Sequence, residues 1–301
     1  MPCSIVVVGS VNQDLHLSLD QLPRPGETVL AAELRDVPGG KGANQAVAVA
    51  RHHGCCVLVG AVGADETGAA LAAALGDAGV DTTHLRSIEG VATGTAVVMV
   101  DSHGQNSIVV ASGANLALTP DDVVASLERL SPIDCILTQG ELSAACIAAA
   151  ARFAAAHGSR FVLNLAPFVH VTAETLAVCD PLIVNEVEAV ATATSLGIGV
   201  TDAASLTGRL APHCRSVITT LGADGATWST VDAVGTVAAP EVDVVDSTGA
   251  GDAFVGAAVA ALVGGADLAA SCQAGVAAGT LAVQYRGAQS EALHDITRSR
   301  L

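Results

Sequence analysis

The run Asp246-Ser-Thr-Gly-Ala-Gly-Asp-Ala-Phe254 sets two glycines and a carboxylate at the head of an apolar, alanine-rich stretch from Ala253 to Val263. That stretch predicts a helix, and Asp243-Val244-Val245 ahead of it predicts the end of a strand. Gly249 and Gly251 then fall at a helix start. Without Cβ atoms they let a bulky anion approach the backbone, and the N–H groups of a helix N-terminus point towards it. Asp252 would sit inside this anion site. A carboxylate there repels a stored phosphate but suits the deprotonation of a nucleophile attacking phosphorus. An ordinary acidic cap beside a tight turn has the same residues, so the segment alone leaves both readings open.

Two further clusters carry hydrogen-bonding groups. Ser4 to Val8 reads as a buried parallel strand and is followed by Gly9-Ser-Val-Asn-Gln-Asp14. Asn12 and Asp14, two apart in an extended segment, point the same way, and amide and carboxylate could hold vicinal hydroxyls; an Asx turn capping the strand is the other reading. Pro38-Gly-Gly-Lys-Gly-Ala-Asn-Gln45 leads into a helix pattern from Ala46 to Arg51. It is not a Walker A loop, because Gly42 follows Lys41 where Ser or Thr is needed. It is not GxGxxG either, because Gln45 stands at the last glycine position. Gly39, Gly40 and Gly42 allow close approach of a polar ligand, with Lys41 and Asn44 as donors, whereas a plain turn needs neither three glycines nor a lysine.

An α/β alternation must position these clusters. The 301 residues suffice for one large α/β domain with an appendage, or for two small domains. Hydrophobic residues make up 51% and aromatics only 2%, which suits close-packed helices on a sheet better than aromatic recognition surfaces. A net charge of −17 disfavours nucleic acid and anionic membrane as partners. Eight cysteines include no CxxC pair, so buried thiols of a reducing compartment are expected rather than disulfides or zinc. No secretory leader and no apolar run of membrane-spanning length is recognised, and a cytoplasmic protein is expected.

Strands are expected at Val57–Ala61, Ile136–Thr138, Phe161–Leu165, Leu182–Val184 and Val217–Thr220, with shorter ones at Ala226–Ser229 and Thr236–Ala238. Polar clusters follow several of them: Gln139-Gly-Glu141, Asn185-Glu-Val-Glu188, and Leu221-Gly-Ala-Asp-Gly225. In a doubly wound, mostly parallel sheet flanked by helices, such ends share one edge and line one cleft. Residues 15–36 and 92–111 instead show turn and hairpin signals. They are expected to form a small β-sheet lid, leaving 1–14, 37–91 and 112–301 as the α/β domain.

Taken together, Gly9 to Asp14, Pro38 to Gln45, Gly113-Ala-Asn115, Asn185 to Glu188, Thr220-Leu-Gly222, Asp246 to Asp252 and Gly287-Ala-Gln289 resemble the ribokinase family of carbohydrate kinases over essentially the whole chain. The resemblance implies a large α/β domain with a β-sheet lid that also makes a homodimer interface, and ATP-dependent phosphorylation of a sugar's primary hydroxyl, with D-ribose as acceptor. Asp252 would be the base, with the amides of Gly249, Ala250 and Gly251 holding the phosphoryl group. Asn12, Asp14, Gly39, Gly40, Lys41, Asn44 and Glu141 would hold the sugar. Asn185, Thr220, Leu221, Gly222, Ala223, Asp224, Gly225 and Gly251 would serve ATP, and Glu188 would hold Mg2+ through water. Asp246, Thr248, Ala282, Tyr285 and Gly287 match a monovalent-cation site, usually for potassium. Members of this type commonly carry Pro-Ser after Gly-Ala-Gln, but Ser290-Glu291 stand here, so the last cation ligand does not carry over.

Three rivals share the fold: a nucleoside kinase, a fructose or deoxyribose kinase, and a non-catalytic sugar-binding protein. The six aromatic residues, Phe, Tyr and Trp together, offer little surface to a nucleobase. Substituting the base distinguishes catalysis from binding. Asp252→Ala is expected to keep sugar and ATP binding in equilibrium titrations while ADP release slows by about 10²–10⁴-fold; nearly full turnover would dismiss Asp252 as the base.

Overall fold

The computed structural model describes residues 4–103, 105–199 and 205–289. Its strands, in chain order, are β1 (Ile5–Val8), β2 (Asn12–Ser18), β3 (Glu33–Gly39), β4 (Cys56–Gly63), β5 (Val80–Asp81), β6 (Leu85–Ile88), β7 (Gly94–Val100), β8 (Asn106–Ala111), β9 (Cys135–Gln139), β10 (Arg160–Asn164), β11 (Cys179–Asn185), β12 (Val217–Thr220), β13 (Ala226–Ser229) and β14 (Val234–Val237). Ten of these form the main sheet, in spatial order β14-β13-β12-β11-β10-β9-β1-β4-β5, with β6 also pairing with β4. Pairing is parallel from β5 to β12, and β13 and β14 add an antiparallel edge. Strand order reverses between β1 and β9, and it is outside the carboxyl ends of strands at such a switch point that α/β sheets bind ligands.

The two-residue period of β1 shows how the sheet is held. Val6 and Val8 join a core with Ile136, Leu163, Leu182 and Val217 on one face, whereas Ile5 and Val7 join a core with Leu137, Val162, Ile183 and Ile218 on the other. Both faces are therefore dry, as a parallel sheet requires. The second core lies under the helices Lys41–His53, Ala250–Val263 and Leu268–Ala282, which contribute Ala46, Val47, Phe254, Ala258, Cys272 and Val276. Small residues bring these helices close. A Cβ on Gly256 would overlap Ala48 of the first helix, and one on Gly275 would lie 2.9 Å from the Phe254 ring.

Strands β3-β2-β7-β8 form the separate four-stranded sheet expected from the two excursions. Its strands run beyond the 15–36 segment, since β2 begins at Asn12 and β3 ends at Gly39, so two of the polar clusters form the root of the small sheet. Register places Asp14 beside Val37 and Ala96, with Ala96 opposite Val110.

Other expectations are corrected. Asp243-Val244-Val245 is not a strand: the segment has no sheet partner, its valines are exposed, and Val245 and Asp246 both donate backbone N–H bonds to the Val283 carbonyl. The following helix begins at Ala250 rather than Ala253, so Gly251 and Asp252 lie in its first turn. Cys55 is disulfide-bonded, unlike the buried free thiols Cys56, Cys135, Cys146, Cys179, Cys214 and Cys272. The sequence could not separate it from its neighbour, but it is half-buried just ahead of β4 while Cys56 points into the core. Among the described residues no helix is long and apolar enough to cross a membrane.

The close helix contact sets a stability test. Gly256→Leu must part the helices Lys41–His53 and Ala250–Val263, and should destabilise the chain by about 1–3 kcal/mol, read as a lower Tm in calorimetry; an unchanged Tm would mean the contact is slack.

Candidate active site

The helix Ala250–Val263 starts from Gly249, whose φ of 76° is left-handed and which a side chain could occupy only by colliding with Ala288. Gly249 is thus required by the turn as well as by any anion. A Cβ on Gly251 would meet open space, which leaves close approach of a ligand as its clearer reason. Asp252 follows in the first turn and is only 7% exposed. Each of its carboxylate oxygens accepts an amide bond from the helix Lys41–His53: Oδ2 from Asn44 Nδ2 at 3.0 Å and Oδ1 from Gln45 Nε2 at 2.9 Å. The late anion loop and the early glycine-lysine loop therefore meet at one side chain.

The expected sugar residues lie around the switch point. Asn12 Oδ1 accepts from Asn115 Nδ2 at 2.7 Å, and Asn115 Oδ1 accepts from the Val11 N–H at 2.9 Å, which fixes Asn12 in orientation. The carboxylate of Asp14 lies where a Cβ on Gly39 would be. Its Oδ1 is buried with no hydrogen-bond partner among the described residues. Burial, then the negative charges of Glu141 and Asp252, push the Asp14 carboxyl up to about 7, with Lys41 opposing. Lys41 is itself held above the usual lysine range, first by Asp252, against the effect of burial, and then by Glu141, Glu188 and Asp14. Glu141 Oε2 accepts from Ser10 Oγ at 2.5 Å and from the Lys41 N–H at 3.0 Å, so it braces the glycine-lysine loop from the end of β9. It also stays within Coulombic reach of Asp14 and Lys41.

Across Asp252 from these groups opens a cleft of about 920 Å³ lined by Thr220, Gly222, Ala223 and Gly225 on one side and by Ala250 and Gly251 on the other. Val242, Val244, Val276 and Val283 make its wall apolar, which is where the misread valine segment is used. Leu221 and Asp224 are not among the lining residues; the Leu221 N–H donates to Gly225 O and the Asp224 N–H to Leu221 O, closing the turn that presents the others. Asn185 and Glu188 are also outside that lining. They form a reciprocal capping box at the start of the helix Glu186–Ser195, with Glu188 N to Asn185 Oδ1 at 2.9 Å and Asn185 N to Glu188 Oε2 at 2.8 Å. Burial raises the Glu188 carboxyl above its ordinary value. A smaller cavity of about 400 Å³ around Arg86, Asp122 and Arg129 contains none of the expected site residues.

The expected cation residues converge behind the anion loop. Asp246 Oδ1 accepts from the Thr248 N–H at 2.9 Å and Oδ2 from the Gly287 N–H at 3.0 Å, while the Tyr285 N–H donates to Ala282 O. Burial acts to raise the Asp246 carboxyl, but these hydrogen bonds outweigh it and hold the group below the carboxylate range. Among the described residues no three His, Cys, Asp or Glu side chains gather to bind a metal. Ser290-Glu291 lie outside the described residues.

Several contributors had no role assigned from sequence. Gln45, Asn115 and Gln289 stood inside motif runs, Gln139 was noted as a strand end, and Asn164 was hidden in an apolar run. Gln289 Nε2 donates to Asn44 Oδ1 at 2.8 Å, tying the last described residue to the sugar cluster. Their common signal is a polar residue near the end of a buried strand or beside a glycine turn.

Known proteins share this arrangement of elements. The sequence profile of the "pfkB family carbohydrate kinase" group matches residues 3–295. The ribokinase of Staphylococcus aureus (strain COL) is 34% identical over 296 residues, 96% of each chain. A deoxyribokinase of Salmonella typhi is 32% identical over 289 residues, 95% of this chain and 94% of its own. The ribokinase of Arabidopsis thaliana complexed with ribose and ATP matches with a TM-score of 0.83 and 31% identity, over 95% of this chain and 94% of that one. Agreement of that extent makes this chain a member of the pfkB family of carbohydrate kinases.

Proposed function

We propose that the chain phosphorylates D-ribose with ATP, giving D-ribose 5-phosphate and ADP. The observation that carries this reading is the buried Asp252 carboxylate, placed in the first turn of a helix between a cluster of hydroxyl-binding groups and a nucleotide-sized cleft. Relatives in both the ribokinase and deoxyribokinase groups support a pentose acceptor.

In this mechanism Asn12, Asp14, Gly39, Gly40, Lys41, Asn44 and Glu141 hold the sugar. The partnerless Oδ1 of Asp14 would accept from a hydroxyl and so escape the cost of a buried, unpaired acceptor. Asp252 takes the proton of the primary hydroxyl as that oxygen attacks the γ-phosphorus. The amides of Gly249, Ala250 and Gly251 stabilise the transferring group through the positive end of the helix, and ADP leaves into the cleft. Thr220, Gly222, Ala223 and Gly225 carry the nucleotide on the cleft wall, with Leu221 and Asp224 shaping their turn. Mg2+ accompanying ATP would offset phosphate charge, and Glu188, beside Asn185, would hold it through water. Potassium would be held by Asp246, Thr248, Ala282, Tyr285 and Gly287.

The small sheet, residues 15–36 and 92–111, is proposed as the lid. Ile108 and Val110, 55% and 46% exposed, share the face of Asp14 and would close over the sugar. Leu34 and Val109, 62% and 59% exposed, lie on the opposite face and offer apolar surface to a second subunit.

The test is ADP release over a panel of pentoses, hexoses and nucleosides, with and without potassium. Ribose should give the highest kcat/KM and potassium should raise the rate. Preference for deoxyribose, fructose or adenosine would move the chain to another branch of the family, and absence of sugar-dependent ADP formation would return it to a binding role.

Asp14 adds a pH prediction. With its carboxyl near 7, the ionised form that accepts from a sugar hydroxyl is lost as pH falls through that value. The kcat/KM for sugar should therefore fall about tenfold per unit below pH 7, and Asp14→Asn should abolish that limb. Stability runs the other way. A carboxyl raised above its unfolded value of 3.8 favours the fold below about pH 4 and loses that contribution as pH rises through 7, so Asp14→Asn should raise the Tm at pH 8.

A further inference from the structure

Gln45 follows Asn44 on the helix Lys41–His53, yet where Asn44 belongs to the sugar cluster Gln45 is fully buried and points beneath Asp252. Its neighbours there come from strand ends. Gln139 closes β9 and Asn164 closes β10, directly opposite one another in register. All three amides are buried, so each hydrogen-bonding group left without a partner costs about 1–3 kcal/mol, and among the described residues Gln139 Oε1 is the one group of the three that has none.

The polarity of this cluster is set from one end. The Ile183 carbonyl can only accept, so Asn164 turns Nδ2 towards it at 3.1 Å and presents Oδ1 to Gln45. Gln45 must answer with Nε2, at 2.8 Å, and the second N–H of that same nitrogen reaches Asp252 Oδ1 at 2.9 Å. Gln45 Oε1 is turned away and accepts from Gln139 Nε2 at 2.8 Å, which blocks the flipped amide. The carboxylate is thus held on one oxygen by a donor whose orientation is anchored in the main sheet. The other oxygen, Oδ2, is held by Asn44, on the sugar side.

We propose that Gln45 is a positioning residue for phosphoryl transfer: through the relay from the Ile183 carbonyl it fixes Oδ1 of Asp252, leaving Oδ2 as the oxygen that receives the sugar proton. This rests on the reading of Asp252 as the base. In the step, the sugar O–H bond breaks and its proton goes to Oδ2. The freed electron pair forms the new O–P bond, and the bond from the γ-phosphorus to the bridging oxygen breaks with its pair leaving on ADP. Gln45 touches neither reactant; it removes the freedom of the carboxylate to rotate away, and displacements of about 1 Å at a reacting group cost up to about 10²-fold in rate.

The experiment compares Gln45→Met, Gln139→Met and Asp252→Asn in the full chain, by steady-state kinetics with ribose and ATP and by equilibrium sugar binding. Gln45→Met keeps the side-chain volume but has no donor. It should lower kcat by about 10–10²-fold while KM and the sugar binding constant stay within about twofold. Gln139→Met removes the donor to Gln45 Oε1 and so loosens the hold on that amide, and it should lower kcat less, with the same constancy of KM. A folded Gln45→Met enzyme with unchanged kcat, while Asp252→Asn is inactive, overturns the relay and leaves the base in place. A loss carried in KM and binding overturns it as well, because it reports a damaged sugar site. Should Gln45→Met fail to fold, Gln139→Met decides, and an unchanged kcat there sinks the proposal. Full activity in Asp252→Asn removes the base itself and the relay with it.

Discussion

A carboxylate withdrawn from water must be met by donors, and in this chain that demand falls on Asp252. An unpaired buried charge is among the costliest features a fold can contain. Neutral amides meet it, from Asn44 on one oxygen and Gln45 on the other. A lysine paired directly with Asp252 would blunt it as a base, whereas Lys41 acts only through its field. For the amides to arrive, the helices Lys41–His53 and Ala250–Val263 must run close together, and the Ala48–Gly256 approach lets them. For the amides to keep their orientation, β9, β10 and β11 must be in register, because the relay ends on a main-chain carbonyl of β11. Sheet, helix pair and anion loop are thus conditions on one side chain.

The surroundings of Asp252 divide by charge. Glu141 and Asp252 both act on Asp14, and all three carboxylates act on Lys41. The side of Asp252 that carries Asp14, Lys41 and Glu141 is therefore electrically crowded, and Asp14 relieves it by holding its proton up to about pH 7. On the other side the cleft wall is mostly small and apolar residues, with Thr220, Glu241, Asp243, Ser247 and Thr280 among them and the head of the Ala250–Val263 helix at one side. A polyol needs many directed partners and a triphosphate needs concentrated positive potential. The proposed division between sugar and nucleotide rests on this contrast.

Much of this was legible in the sequence because the strands at its centre are short, start apolar and end in or before polar residues. Ile5–Val8 before Asn12, Cys135–Gln139 before Glu141 and Val217–Thr220 before Gly222 all declared both the sheet and the cleft. What was misread had a physical cause in each case. Asp243-Val244-Val245 reads as the end of a strand, and an apolar pattern does not distinguish a sheet interior from the wall of a cleft. The bounds of the small sheet were blurred because Asn12 and Gly39 serve it and the site at once. Gln45 and Asn164 were passed over because an amide's role depends on which way it is turned, and that is decided by the Ile183 carbonyl, remote from Gln45 in the chain.

The reversal of strand order between β1 and β9 also bears on how the protein is made. The site draws on Asn12, Asn44, Gln139, Asn164, Asp252 and Gln289, so its contacts span almost the whole chain, among them the Asn44–Asp252 bond across 208 positions. During synthesis from the N-terminus, the loops that carry Asn12 and Asn44 emerge long before the helix that carries the carboxylate. A growing chain therefore exposes a half-site that can neither lock its amides nor shield them until the last helices dock. Such long-range closure is slow relative to local helix formation. For that interval the apolar face of the sheet that those helices will cover is the part of the nascent chain that a chaperone would protect.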